Sequence, residues 1–242
     1  MIRSLLFFFL QTASLVFWGV IVIVIIPFLS LEKRYKITMA WPKLNILLAK
    51  SLLKIDFEER NSSALIRNSK NPAIICCNHQ STWETFYLAS FLPKPVCFIF
   101  KRELLFIPCF GWGIFLLKMI HINRKSGREA IKTIIEEAST QFSYGRWIIF
   151  FPEGTRVSPG EKNQYKLGAA ILSKELDIPI IPVAHNAGLF WGKNALIKKP
   201  GKIILSVGQE IYPNGRTPKE IINEVKLKIE DLKNNQPKLI FT

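Results

Sequence analysis

Apolar positions along this chain follow three regimes. From Leu5 to Leu29 no residue is charged, and the run LVFWGVIVIVIIPFL is almost wholly apolar. As a helix this stretch would be ~37 Å long at ~1.5 Å per residue, enough to cross a hydrocarbon core of ~30 Å. Pro27 is placed to kink or end it, and Gln11, Thr12 and Ser14 dilute its first half. The second regime is WPKLNILLAKSLLKI, where Leu44, Leu47, Leu48, Leu52 and Ile55 recur at helical spacing among Lys43, Asn45, Lys50 and Lys54. Such a helix either lies in a membrane interface with its lysines toward phosphates or packs on a folded domain, and some helices do both.

The third regime alternates short β-rich runs, at 73–77, 96–100, 147–151, 178–184 and 203–207, with helical patterns. Ser126 with Glu129 spells a capping box, and Thr217-Pro218 with Glu220 spells a second helix start. Strands separated by helices predict an α/β fold, a largely parallel sheet flanked by helices. Ligands of such sheets gather outside the strands' carboxyl ends. The domain reading is an N-terminal membrane-associated helical segment, residues 1–56, followed by an α/β domain, 57–242. The stretch LLFIPCFGWGIFLL, 104–117, is too short to span a bilayer and too apolar for an exposed loop. It is expected in the core or on the wall of a groove for something apolar.

Composition narrows the function classes. The 33 Lys and Arg against 18 Asp and Glu leave a formal charge of +15, while 49% of residues are hydrophobic and mean hydropathy is +0.19. Disorder is excluded by the apolar content, and a many-pass transporter by charges that recur after residue 31. A nucleic-acid binder would cluster its cations with exposed aromatics; here they are spread along the chain. Basic and apolar together suit an anionic membrane surface, where each well-placed cation contributes on the order of 1 kcal/mol. Lys33, Arg34 and Lys36 follow the apolar run, so the positive-inside bias keeps what comes next in the cytoplasm. No A-x-A-like site follows, which disfavours a cleaved signal peptide. Cys76, Cys77, Cys97 and Cys109 form no C-x-x-C pair and are read as small buried apolar residues in a reducing compartment, with no metal site.

Candidate chemistry sits at predicted strand ends. His79, in NHQSTWETF, follows the run AIICC, and Glu84 is five residues on. On one continuous helix the two would stand ~140° apart and not meet. They meet if His79 lies in the loop and Glu84 in the first helical turn, where a carboxylate fixes the imidazole tautomer and leaves the other nitrogen as a general base. Ser81 and Glu84 also spell S-x-x-E, so a purely capping Glu84 is the competing reading. In IIFFPEGTR an apolar strand ends in Pro152, Glu153, Gly154, Thr155 and Arg156, a turn that suits an anion. Lys101 and Arg102 follow the run VCFIF, and Arg124 lies in HINR. Cations at several such ends point to an anionic substrate.

NHQSTWE, HINR, FPEGTR and IPVAH, in this order and spacing, resemble the glycerolipid acyltransferase family, most closely its bacterial 1-acyl-sn-glycerol-3-phosphate acyltransferases, over roughly residues 35–215. Two departures stand out. The family's His-x4-Asp is His-x4-Glu here, and in the second motif only Arg124 matches, with Lys118 and His121 at its Gly and Phe places. The resemblance implies that His79 deprotonates the hydroxyl of a lysophospholipid and Glu84 orients it. Arg124, Glu153, Gly154, Thr155 and Arg156 would hold the glycerol phosphate, helped by Lys101. It further implies an acyl-CoA or acyl-carrier-protein donor, lysophosphatidic acid as acceptor, no cofactor, no nucleic-acid partner, and a place on the bacterial inner membrane with the catalytic domain facing the cytoplasm. A sister enzyme acting on glycerol 3-phosphate or another lysolipid is the alternative. His121 is expected to pack near the acceptor site, His185 to be a structural histidine, and Lys166 to lie near the site.

Overall fold

The structure, a computed structural model, describes residues 1–108, 110–161 and 163–236. Two long helices open the chain, α1 (Ile2–Val24) and α2 (Leu31–Leu53). Pro27 sits in the short turn between them, so it ends α1 rather than kinking it. The pair is antiparallel: Trp18 Nε1 donates to the Ile37 carbonyl at 3.1 Å and Trp41 Nε1 to Ser14 Oγ at 3.1 Å. The leucine pattern of α2 misleads. Trp41, Asn45, Ile46, Ala49 and Leu53 form the buried face of α2, whereas Leu44 and Leu47 are exposed. The large Trp41 ring packs edge-on against Phe86 of α4 (Trp83–Ser90), and this contact sets the rotation of the helix.

A six-stranded sheet follows in the order β1 (Ile55–Arg60), β8 (Gly201–Val207), β7 (Ile180–His185), β2 (Ile74–Cys77), β6 (Trp147–Phe150) and β3 (Val96–Phe98). Neighbours are parallel except β7 and β8. β2, β6 and β7 are buried at every position, as central parallel strands covered on both faces must be. Cys76, Cys77 and Cys97 are buried free thiols among them, as expected; Cys109 lies outside the described residues. The first strand was not anticipated, because IDFEER carries four charges. It is an edge strand, and it runs across the expected 56/57 boundary. The run 96–100 also divides: after β3 the chain turns to form β4 (Phe100–Lys101), paired with β5 (His121–Ile122) in a separate small sheet.

Helices α3 (Ser63–Arg67), α5 (Phe110–Leu116), α6 (Arg128–Ser143), α7 (Gly168–Leu176) and α8 (Pro218–Asn234) complete the described elements. The capping box at Thr217 is present, with Thr217 and Glu220 each bonding the other's backbone N–H. The one expected at Ser126 is not. Arg124–Ser126 form a 3-10 turn and Gly127, at φ +46, is the residue that enters α6, so no side chain caps it. Segment 104–117 does both things expected of it and a third. Leu104, Phe110, Gly113, Ile114 and Leu117 line a cavity, yet Phe106, Trp112 and Phe115 are exposed. α5 lies against α1, where Gly113 meets Val22.

Candidate active site

β7, β2 and β6 are adjacent and parallel, so their carboxyl ends deliver three loops to one place. The loop after β2 carries His79, that after β6 carries Phe151 to Arg156, and β7 ends on His185. Asn78 ties two of them: its side-chain amide donates to the His185 carbonyl at 3.0 Å and its oxygen accepts the His185 N–H at 2.9 Å. The amide side chain thereby continues the β2–β7 ladder one step beyond its last backbone pair.

His79 lies in the loop and Glu84 in the first turn of α4, folded back toward it. Their separation is 2.8 Å, from His79 Nδ1 to Glu84 Oε1. The same Oε1 accepts the backbone N–H groups of Gln80 and Ser81, each at 2.8 Å. Glu84 therefore ties down the two residues that lead into α4 and holds the imidazole at once; α4 itself, with Thr82 at its N-cap, carries no side-chain cap. Burial works to raise the Glu84 carboxyl; the hydrogen bonds from His79 and the backbone N–H groups oppose it, and the group lies below the ordinary carboxylate value. His79 is further fixed by stacking on Phe151, with ring centroids 3.9 Å apart and planes at 15°.

With Nδ1 committed to Glu84, the other imidazole nitrogen serves the cavity that His79 lines. This cavity, ≈ 400 Å³, runs from His79 and Thr82 past Phe86 and Phe100 to α1, α2 and α5. Its wall is mostly apolar, and Arg124 and Arg156 line it together with His79. Arg124 Nη1 donates to the Gly154 carbonyl at 2.5 Å, and Arg156 Nη1 to Thr82 Oγ1 at 3.2 Å. Both guanidinium groups are thus held before any ligand arrives. A second concavity, ≈ 570 Å³ and lined by Arg60, Ser206 and Asp231 among others, lies at the β1–β8 edge and contains none of the motif residues.

Glu153 is buried beneath the site. Its Oε1 accepts the His79 N–H at 3.3 Å, and burial pushes its carboxyl up to about 7. Gly154, at φ +71, makes the turn; a Cβ there would stand 2.9 Å from Lys166 Cε, so this lysine lies across the turn. Thr155 is exposed. Lys101 is exposed too, pairs with Glu103 at 3.1 Å, and is not among the residues lining the cavity. His121, in β5, stands against Phe100 with ring centroids 6.0 Å apart. Sequence reading missed Phe151 and Asn78; the signal was their place at the ends of the two apolar runs. Among the described residues no group of three His, Cys, Asp or Glu side chains is placed to hold a metal ion.

A family profile described as Acyltransferase matches residues 54–186, the span from β1 to the end of β7. The chain belongs to the acyltransferase family. It is 35% identical, over 91% of its length and 84% of the relative's, to a 1-acyl-sn-glycerol-3-phosphate acyltransferase of Pseudomonas aeruginosa. It is also 29% identical, over 82% of its length and 70% of the relative's, to the alpha form from Mus musculus. Among solved structures it resembles the 1-acyl-sn-glycerophosphate (LPA) acyltransferase PlsC from Thermotoga maritima, at TM-score 0.74 and 25% identity, covering 98% of this chain and 97% of that one. This acyltransferase has the α/β fold expected of it, a mostly parallel sheet with flanking helices, and an apolar helix at its start that is long enough to cross a membrane.

Proposed function

We propose that this acyltransferase moves an acyl group from a thioester donor, acyl-CoA or acyl-carrier protein, to the free sn-2 hydroxyl of 1-acyl-sn-glycerol 3-phosphate, giving phosphatidic acid for phospholipid synthesis. One observation carries the reading: a histidine held by a buried carboxylate at 2.8 Å lines a mostly apolar cavity that two guanidinium groups also line. The free nitrogen of His79 takes the hydroxyl proton, and Glu84 stabilises the imidazolium that forms. The alkoxide attacks the thioester carbonyl, the tetrahedral adduct collapses with loss of the thiolate, and the imidazolium returns its proton to that sulfur. Arg124 and Arg156 bind the acceptor phosphate, with Glu153, Gly154 and Thr155 shaping that subsite. No cofactor or covalent acyl-enzyme is required. Lys101, exposed and paired with Glu103, helps only through its charge.

The enzyme works on the cytoplasmic leaflet of the bacterial inner membrane. α1 leaves Phe9, Phe17 and Val24 exposed, which suits lipid. Both of its ends touch the same folded unit. Ser4 Oγ accepts the Lys198 N–H at 3.1 Å and Phe7 packs on Trp191, while Val22 meets Gly113 at the other end. A helix crossing the bilayer would carry one end away from the catalytic domain; these contacts support a helix that lies in one leaflet.

Purified protein in mixed vesicles, given a labelled acyl thioester and a panel of lysophosphatidate, glycerol 3-phosphate and other lysolipids, tests the assignment. Lysophosphatidate is expected to be acylated with the highest kcat/KM, and His79→Ala to lower kcat by about 10²–10⁴-fold. Preference for glycerol 3-phosphate would instead assign the sister activity, and an active His79→Ala would remove the base.

A further inference from the structure

His185 ends β7 inside the protein, directly behind the His79–Glu84 pair, and the mechanism above does not use it. Its ring nitrogens are both engaged. Nδ1 accepts the Ala187 N–H at 3.1 Å, so the ring proton is on Nε2, which donates to the Asn78 carbonyl at 2.7 Å. That carbonyl belongs to the peptide immediately before His79. Nε2 also stands 3.8 Å from Glu84 Oε2, too far for a hydrogen bond. This second carboxylate oxygen is fully buried and has no hydrogen-bond partner. A buried acceptor without a donor is costly, and the Nε2 of His185 stands on its side of the carboxylate.

We propose that His185 is a positioning residue for acyl transfer: its Nε2–H fixes the peptide that presents His79, and its ring, held in the neutral tautomer, leaves the charge of Glu84 to His79 alone. The geometry enforces that neutrality. A second proton on Nδ1 would point at the Ala187 N–H, donor against donor. Burial acts in the same direction, lowering the tendency of this imidazole to charge. The ionisable groups that face it are Glu84 from α4, His79 from the loop after β2, and more distantly Lys233 from α8. Cys77 of β2 contributes only a thiol, which donates to the same Asn78 carbonyl at 3.4 Å. A cationic His185 would compete with the His79 imidazolium for one carboxylate, and so weaken the stabilisation that the reaction needs.

The inference rests on His79 being the base. Its test compares His185→Leu, which removes both ring contacts, with His185→Gln, whose amide restores a donor. The chain has three histidines, so imidazole-¹⁵N labelling of the full-length protein in detergent separates them. Wild-type His185 is expected as the Nε2–H tautomer, singly protonated at neutral pH. His185→Leu is expected to lower kcat about 10- to 100-fold, the range typical of lost orienting hydrogen bonds around a site, with both KM values within about twofold. It should also weaken the downfield His79 Nδ1 proton signal, and His185→Gln should recover most of both. A folded His185→Leu with wild-type kcat and an unchanged His79 signal overturns the proposal. If that variant does not fold, the wild-type spectrum decides: an Nδ1–H or doubly protonated His185 overturns it. An active His79→Ala would strike His79 as the base instead and leave the tautomer result standing, so the two failures are distinguishable.

Discussion

Glu84 holds His79 and the entry to helix α4 through a single atom, Oε1, which accepts the His79 Nδ1 proton and the backbone N–H groups of Gln80 and Ser81, each at 2.8 Å. Stability and orientation are therefore separable only by changing charge while keeping the oxygen. Glu84→Gln keeps an acceptor for all three donors and should leave Tm within a few degrees of wild type, yet lower kcat at least ~10²-fold by removing the charge that stabilises imidazolium. Glu84→Ala should lose both. Melting curves and kcat measured on the same preparations check this, and equal loss of stability and activity in Glu84→Gln would reduce Glu84 to a structural tie.

Arg156 is tied to Thr82 and lines the cavity beside His79. Charge-assisted bonds to a phosphate contribute ~1.5–3 kcal/mol, so Arg156→Ala should raise the lysophosphatidate KM roughly 10- to 150-fold with a smaller change for the acyl donor. Arg156→Lys should recover only part, because an ammonium cannot make the planar fork. Steady-state kinetics with each substrate varied in turn gives the answer; a rise confined to the donor KM would move this arginine to the thioester.

Glu153 makes stability depend on pH. Its carboxyl is raised by burial from an ordinary 4.5 to about 7 in the folded protein, so between those values the native state binds more protons than the unfolded chain. Stability contributed by the neutral form is present at low pH and is lost as pH rises through that window. The change is on the order of 3 kcal/mol. Glu153→Gln, neutral throughout, should flatten this part of the profile and gain on wild type as pH goes from 5 to 8. Denaturant titrations at both pH values measure it; parallel slopes in the two proteins would refute the assignment.

Phe7 distinguishes a docked helix from a free one. It is fully buried, packs edge-on against Trp191 at 5.1 Å and receives Lys198 Nζ 5.4 Å from its ring. Phe7→Ala should cost ~3–5 kcal/mol of stability, the usual range for a buried phenylalanine. Phe9→Ala and Phe17→Ala, each at a position 67% exposed, should leave stability nearly unchanged and weaken vesicle binding instead. Thermal melts with vesicle flotation separate the two effects. Matching results for all three phenylalanines would mean that α1 does not rest on the domain.

Features that depend only on neighbours along the chain were legible in the residues. Apolar runs named the central strands β2 and β6, the capping pair Thr217 and Glu220 marked the start of α8, and the motif residues fell at strand ends where an α/β sheet exposes its loops. His79 and Glu84 were close enough in sequence for their meeting to be one of two open readings, the one with His79 in the loop and Glu84 in the first helical turn. Charges concealed β1, since an edge strand has a solvated side that tolerates them. What only the tertiary structure decided are contacts set by strand order and docking. β7 lies beside β2, which brings His185 behind Glu84; α1 lies on the catalytic domain, which joins Ser4 to Lys198 across 194 residues. The chain after β3 leaves the main sheet as β4, in which Phe100 lines the cavity while Lys101 is exposed and pairs with Glu103. Local periodicity is a property of each segment alone, whereas these juxtapositions depend on which segments bury their apolar faces against one another, and no single segment encodes that choice.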